Sequence, residues 1–177
     1  MEEGEPLTRE EFRRQVSGRD GGRCVICGAA GVDAHHIVER RLFDDGGYYL
    51  ANGATLCAAC HVQAEMTVLG CDTIRTAIAA HGGSGRVVLP PHLYADQAYD
   101  KWGNPILPNG QRLRGELFDD GSVQKILTAG GVLPLFTSRV RYPRTYHLPW
   151  SPGATDDDRV LLDVRHFEGQ AVVVTAK

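Results

Sequence analysis

Two Cys-x-x-Cys pairs dominate the N-terminal half of the sequence: Cys24 with Cys27, and Cys57 with Cys60. Tetrahedral zinc prefers four soft or borderline ligands, and paired turns of this kind present thiolates in that geometry. One zinc ion bound by all four cysteines would close the intervening residues into a long loop. The sequence therefore predicts a structural zinc site, with the remaining chemistry inside the loop.

Histidine and asparagine residues within and beside this loop narrow the interpretation. His35 and His36 are adjacent, Asn52 precedes the second cysteine pair, and His61 directly follows Cys60. At these positions the segment resembles the HNH nuclease family in its four-cysteine zinc form. The resemblance implies a ββα-metal motif, in which a hairpin and a following helix surround a catalytic divalent metal ion. We accordingly expect an α+β protein with a zinc-bound, treble-clef-like nuclease core.

The resemblance also implies a role for each of these residues. His35 and His61 would bind the catalytic metal, His36 would act as the general base on water, and Asn52 would orient His36 or its loop. The metal would be Mg²⁺, Mn²⁺, Ni²⁺ or Zn²⁺, and histidine in place of the commoner aspartate at position 35 favours softer ions than Mg²⁺. A neutral imidazole with a pKa of ~6.5 can accept a proton from water at neutral pH.

The activity implied is endonucleolytic hydrolysis of phosphodiester bonds in nucleic acid, with DNA favoured over RNA. Two other interpretations remain open. The segment can be a zinc module that binds nucleic acid, or acts as a scaffold for a ligase, without cleaving. His61 can also replace one cysteine as a ligand of the structural zinc. The enzyme is preferred because a binding module has no need for His36 and Asn52 at the family spacing.

Composition limits the number of domains, the redox compartment and the location of the protein. The 177 residues suffice for one domain or two small ones. Four of the five cysteines are in pairs, which favours metal thiolates in a reducing cytoplasm over disulfides, and Cys71 is expected to be a buried apolar residue. The acidic N-terminus does not resemble a signal peptide, and apolar runs fall short of the ~20 residues that cross a membrane. We therefore expect a cytoplasmic protein.

The net charge of −3 does not by itself favour nucleic-acid binding, which depends on neutralising phosphates. A local basic surface must supply that charge, and the candidates are Arg13 and Arg14 on the first predicted helix and Arg40 and Arg41 after the first strand. For the helix, an ordinary solvated charged face is an equally good interpretation.

Local patterns predict the elements around the motif. A capping box from Thr8 to Glu11 predicts a helix over about 9–17, with Phe12 and Val16 on one face. A first strand is expected over Val32 to Val38. The motif helix is expected to continue from His61 to Gly70, a second helix to be capped by Asp72, and a third by Ser122. The glycine-rich stretch 82–85 predicts a boundary between a nuclease domain, 1–82, and a mixed strand and turn accessory region, 86–141.

The last segment, 142–177, resembles the beginning of a bacterial and phage RNA ligase family. In that family the lead-in precedes a Lys-x-Asp-Gly motif whose lysine takes the nucleotide. Lys177 matches the lysine, although no Asp-Gly follows it and Ala176 stands where glutamate is common. We interpret the segment as a fragment or remnant of a nuclease–ligase fusion, which makes an RNA ligase module a possible partner. Lys177 is not expected to form a covalent adenylate.

Overall fold

The computed structural model describes the backbone of residues 5–141, 161–167 and 170–175, and the side chains of 5–137. The described helices are α1 (Arg9–Arg19), α2 (Ala58–Glu65), α3 (Cys71–Ala80) and α4 (Gly121–Ala129). The described strands are β1 (Asp33–His36), β2 (Gly53–Leu56), β3 (Ala98–Tyr99), β4 (Pro105–Ile106), β5 (Arg112–Arg114), β6 (Phe136–Arg141), β7 (Leu161–Phe167) and β8 (Gln170–Thr175). This mixture of helices and small sheets confirms the predicted α+β class.

Helix α1 begins with the predicted capping box. The Glu11 backbone N–H donates to Thr8 Oγ1, and the Thr8 N–H donates to the Glu11 carboxylate. The helix continues through Gly18 to Arg19, slightly beyond the predicted end. Phe12 and Val16 are buried as expected and lie directly on the backbone of β2, where a Cβ added to Gly53 would fall 2.3 Å from Val16 Cγ2. The helix is therefore rigidly attached to the hairpin.

Strands β1 and β2 form the expected antiparallel hairpin, with Asp33 opposite Leu56 and His36 opposite Gly53. Strand β1 is shorter than the predicted Val32 to Val38, because the backbone leaves the strand to enter the long loop. Helix α2 follows β2 directly, which completes the ββα order.

Helix α2 ends at Glu65, so the prediction that it continues to Gly70 is wrong. The reason is local: Thr67 adopts a left-handed conformation with φ of 59°, which an α-helix cannot accommodate. The turn after Glu65 redirects the chain into α3.

Two predicted helix caps are also wrong. Helix α3 is preceded by Gly70, while Asp72 already lies in its first turn and accepts a hydrogen bond from Arg75. Helix α4 is capped by Asp120, whose carboxylate accepts from the backbone N–H groups of Ser122 and Val123. In each case the cap is the residue in extended conformation just before the first helical turn.

The hairpin, α2 and α3 share one apolar core. Its buried members are Cys24, Val25, Ile37, Ala54, Leu56, Cys60, Ala64, Cys71, Ile74 and Ile78. Cys71 is buried as predicted, and its thiol donates to the carbonyl of Ile37. The core thus contains two of the paired cysteines, so packing and metal binding stabilise the same part of the chain.

Beyond the glycine-rich stretch, β3, β4, β5 and β6 form one sheet in that order, with β5 and β6 parallel. Residues of this region reach the hairpin and α2. Lys101 contacts Glu39 and Glu65, and Trp102 Nε1 donates to the carbonyl of Glu65 at 2.9 Å. The division at 82–85 stays a prediction, but the accessory region packs against the motif.

Strands β7 and β8 pair as an antiparallel hairpin. Residues 142–160 and Lys177, on which much of the ligase resemblance depends, lie outside the described residues. In the part of the chain that is described, the helices are too short or too polar to cross a membrane.

Candidate metal centre and active site

The four paired cysteines converge on one point. Their sulfur atoms all lie within 4.8 Å of one another, with Cys27 Sγ 3.6 Å from Cys57 Sγ and 3.9 Å from Cys60 Sγ. A tetrahedral zinc ion with bonds of about 2.3 Å separates its sulfur ligands by about 3.8 Å. The cluster therefore has the geometry of a structural zinc site.

Backbone hydrogen bonds favour the thiolate at two of the four cysteines, Cys24 and Cys57. Burial and the neighbouring thiols raise the pKa of Cys60. At Cys27 the backbone N–H of Ala29 lowers the pKa, but the neighbouring thiols outweigh it and raise that pKa. The first pair lies on a tight turn closed by hydrogen bonds between Cys24 and both Gly28 and Ala29, with Gly28 at a φ of 73°. Burial raises the pKa of the Cys24 thiol, but backbone hydrogen bonds, the largest from Cys57, outweigh it and lower that pKa to about 7. The N–H of Cys60 lowers the pKa of Cys57. Thiolates are the forms that bind zinc.

A second cluster is formed by residues of α2 and β1. Ligand atoms of His35, His61 and Glu65 lie within 4.8 Å of one another. Glu65 Oε1 is 3.4 Å from His35 Nδ1 and 3.3 Å from His61 Nε2. His35 comes from β1, whereas His61 and Glu65 are one helical turn apart on α2. His61 thus groups with His35 rather than with the cysteines, which argues against its replacing a zinc thiolate.

The environment of His35 fits a metal ligand. The side chain is 2 % exposed, and neither ring nitrogen makes a hydrogen bond of good geometry. Burial lowers its pKa to about 3, with the positive charge of Lys101 adding to the effect. A buried neutral imidazole with unsatisfied nitrogens is unusual unless another group engages it, and a divalent cation would do so.

Glu65 is the ligand candidate that the sequence analysis missed. Burial raises the pKa of its carboxyl, but the rings of His35 and His61, 3.4 and 3.3 Å away, and the charge of Lys101 together lower that pKa well below its ordinary value. The carboxylate is therefore ionised and available to a cation. The signal in the sequence was its position four residues after His61 on a helix that begins at the second cysteine pair.

Lys101 was also missed, and it enters the site from the accessory region. Its side chain is 5 % exposed, and its ammonium lies 3.3 Å from both Glu39 Oε2 and Glu65 Oε1. It also donates to the carbonyl of His36 at 3.0 Å. Lys101 thereby fixes the Glu65 carboxylate and the end of β1, which are 36 and 65 residues away along the chain.

His36 points away from His35, toward α1. Its ring stacks on Phe12 with centroids 4.5 Å apart and meets the ring of Tyr48 edge-on at 5.1 Å. Burial, reinforced by the charge of Lys101, lowers its pKa to about 4. His36 and His61 both line a cavity of about 640 Å³. The imidazole is thus held neutral, and it shares this cavity with His61 of the three-residue cluster.

Residues 24–66 match the family model for HNH endonuclease.

The HNH match includes both cysteine pairs, the hairpin and α2, and so contains every residue of both clusters. Lys101, which contacts Glu65, lies outside the matched residues. Curated proteins and solved structures gave no match. The ligase resemblance of 142–177 therefore gains no support from these comparisons. An HNH segment with a four-cysteine cluster indicates a nuclease or a nucleic-acid-binding protein.

Asn52 of the HNH segment holds the long loop. Its side chain is 1 % exposed, and Oδ1 accepts from the N–H of Val38 at 2.9 Å. Its Nδ2 donates to the carbonyls of Val38 and Gly47, at 3.0 and 3.1 Å. These bonds close the loop immediately after His36, so Asn52 contacts the backbone of the loop rather than the imidazole.

Replacing Asn52 by alanine should destabilise the protein by about 1–3 kcal/mol, because it leaves the buried Val38 N–H without an acceptor. The midpoint of thermal or urea unfolding measures the change. Asn109→Ala is the control, because Asn109 is exposed and bonds only to its neighbour Gln111. Equal stability of the two variants would contradict this role for Asn52.

The four predicted nucleic-acid-binding arginines occupy different environments. Arg13 and Arg40 line the same cavity as His36, and Arg14 lies nearby on α1. Arg41, by contrast, pairs with Glu39 and with Asp120, each at 3.1 Å. Its charge is already balanced within the described residues, which makes Arg41 the weakest of the four candidates.

Proposed function

We propose that this protein is a metal-dependent HNH endonuclease that hydrolyses phosphodiester bonds in nucleic acid. The observation that carries the proposal is the position of His36: a neutral imidazole next to a three-ligand cluster and open to a cavity large enough for a phosphodiester. A module that only binds nucleic acid requires the four cysteines but has no use for this second cluster.

His36 would accept the proton of the attacking water. Its lowered pKa keeps the ring unprotonated at neutral pH, as a base requires. Stacking on Phe12 fixes the plane of the ring, and Lys101 and Asn52 hold the backbone on either side of it. A divalent cation bound by His35, His61 and Glu65 would neutralise charge on the phosphate and assist the leaving oxygen.

We favour DNA over RNA as the substrate. We also favour a cytoplasmic location, because cysteines that bind metal as thiolates suit a reducing compartment. Two imidazoles and one carboxylate favour Mn²⁺, Ni²⁺ or Zn²⁺ over Mg²⁺, whose ligands are normally oxygen atoms. Coupling to an RNA ligase rests only on the sequence of 142–177.

Changing Glu65 to glutamine should raise the concentration of divalent metal needed for half-maximal cleavage by at least about tenfold, since outer-shell changes alone cost that much. Zinc in the cysteine cluster should remain. Metal-dependent cleavage rates and zinc content on the same samples measure both effects. Asp72→Asn on α3 is the matched control because that carboxylate is exposed and, among the residues whose side chains are described, pairs with Arg75 alone. An unchanged metal requirement in Glu65→Gln would remove Glu65 from the ligand set.

The proposed activity is tested by incubating the purified full chain with supercoiled plasmid and with labelled RNA. Parallel reactions contain Mg²⁺, Mn²⁺, Ni²⁺ or EDTA. We expect nicking or linearisation of the plasmid that requires added metal. The opposite result is that plasmid and RNA remain uncut with every metal, although the protein binds both and contains zinc. That result would instead establish the non-catalytic zinc module.

A further inference from the structure

A continuous groove leads away from His36 along α1. The cavity of about 640 Å³ at His36 is followed by another of about 570 Å³ between α1 and β1. Five residues line both cavities: Arg9, Arg13, Val32, Asp33 and Ala34. We call this continuous surface the α1 groove.

The α1 groove concentrates positive charge in a protein whose net charge is −3. Arg9, Arg13 and Arg14 line it from the helix, and Arg40 lines it at the His36 end. The acidic residues that line it are Glu10 and Asp33. The groove is therefore cationic, although the chain as a whole is not.

Arg9 and Arg13 differ from four other arginines in the described part of the chain. Arg19, Arg41, Arg75 and Arg112 all form ion pairs with a carboxylate. Within the described residues, the side chains of Arg9 and Arg13 form neither an ion pair nor a hydrogen bond, and both are exposed. Arg14 is partly balanced, because its charge contributes to lowering the pKa of Glu11. The two unpaired guanidinium groups are available to an anion from solution.

The spacing and rigidity of these arginines suit a polyanion. Arg9 and Arg13 are one turn apart on the same face, a rise of about 6 Å along the helix axis. Their helix is fixed at its start by the Thr8 capping box and along its length by the burial of Phe12 and Val16. The opposite wall is lined by the apolar residues Val32 and Ala34 together with the polar residues Asp33 and Thr55.

We propose that the α1 groove binds the sugar-phosphate backbone of the nucleic acid on one side of the bond to be cleaved. Arg9 and Arg13 each neutralise one phosphate there. Contacts of this kind position a substrate without reading its sequence. The position of the groove relative to the cleaved bond rests on the proposed nuclease function. Binding of nucleic acid in the groove can be tested whether or not the protein cleaves.

The test measures affinity in the full chain carrying His36→Ala and without added divalent metal, so that cleavage is negligible during the titration. Arg9→Ala/Arg13→Ala is compared with Arg86→Ala/Lys125→Ala, which removes the same charge from exposed positions outside the groove. Alanine favours helix formation, so α1 should persist, and circular dichroism checks it. Dissociation constants for labelled duplex DNA, single-stranded DNA and RNA are measured between roughly 50 and 200 mM salt.

Removing Arg9 and Arg13 should reduce the slope of log K against log salt by about 1.8 on duplex DNA, or by about 1.4 on a single strand, because each lost phosphate contact contributes ~0.9 or ~0.7. Affinity should fall by at least about tenfold at 0.1 M salt. The control pair should leave the slope unchanged. The nucleic acid whose affinity falls most in Arg9→Ala/Arg13→Ala is the one that the groove binds.

An unchanged slope in Arg9→Ala/Arg13→Ala, or an equal loss in the control pair, would overturn the proposal. Cleavage is assayed separately with His36 intact, so the two proposals can fail independently. Cleavage with an unchanged slope would refute only the α1 groove. A reduced slope without any cleavage would retain the groove and refute the nuclease.

Discussion

Replacing Cys57 by serine should release the structural zinc and unfold the HNH segment. Cys57 Sγ lies 3.6 Å from Cys27 Sγ, and the cysteine pairs hold the first turn to the start of α2. Zinc contributes about 10–16 kcal/mol to small finger domains, which is comparable to or larger than the ~5–15 kcal/mol total stability of a typical domain. Zinc per chain and the thermal unfolding midpoint are the measurements.

Cys71→Ala provides the matched control for this experiment. Cys71 is buried in the same core but lies outside the cluster. Its loss should lower the unfolding midpoint through a small cavity while zinc content stays at one per chain. Unchanged zinc content and unfolding midpoint in Cys57→Ser would remove Cys57 from the zinc site.

Replacing His36 by alanine should reduce cleavage by about 10²–10⁴-fold, which is typical for loss of a general base. Zinc content and the metal requirement should be retained, because His36 does not belong to either ligand cluster. Single-turnover rates at saturating metal measure the effect directly. Cleavage by His36→Ala at the wild-type rate would show that another group activates the water.

The pH dependence adds a second readout for His36. Its pKa of about 4 means that the ring gains a proton only as the pH falls toward that value. Protonation of His36 should therefore leave the wild-type rate unaffected between pH 5 and 8. A loss of rate centred near the ordinary histidine pKa of 6.5 would argue that His36 is not the base.

Local sequence patterns were sufficient to predict the hairpin and the clustering of the four cysteines. The cysteine pairs, the adjacent histidines and His61 are separated by short turns, one hairpin and one helix, so their spacing largely determines where they meet. The capping box of α1 is equally local. The caps of α3 and α4 were each misplaced by two residues, because the residue that caps a helix is decided by its backbone conformation. A polar side chain near the helix start does not by itself identify the cap.

Contacts between distant parts of the chain were not predictable in this way. Glu65 resembles an ordinary exposed helical carboxylate until β1 brings His35 against it. Lys101 reaches Glu39 and Glu65 because the accessory region folds back on the hairpin. Arg41 meets Asp120, 79 residues away, which balances a charge that the sequence alone left free. Each depends on tertiary packing rather than on a periodic pattern.

The most direct test of the nuclease assignment combines metal stoichiometry and cleavage on one sample. Protein containing one zinc per chain is titrated with Mn²⁺ while bound Mn²⁺ and plasmid cleavage are recorded together. We predict no cleavage with the cysteine-bound zinc alone, and a rate that rises in proportion to a single additional bound metal. Full cleavage before Mn²⁺ is added, or a saturated second site without cleavage, would contradict the account.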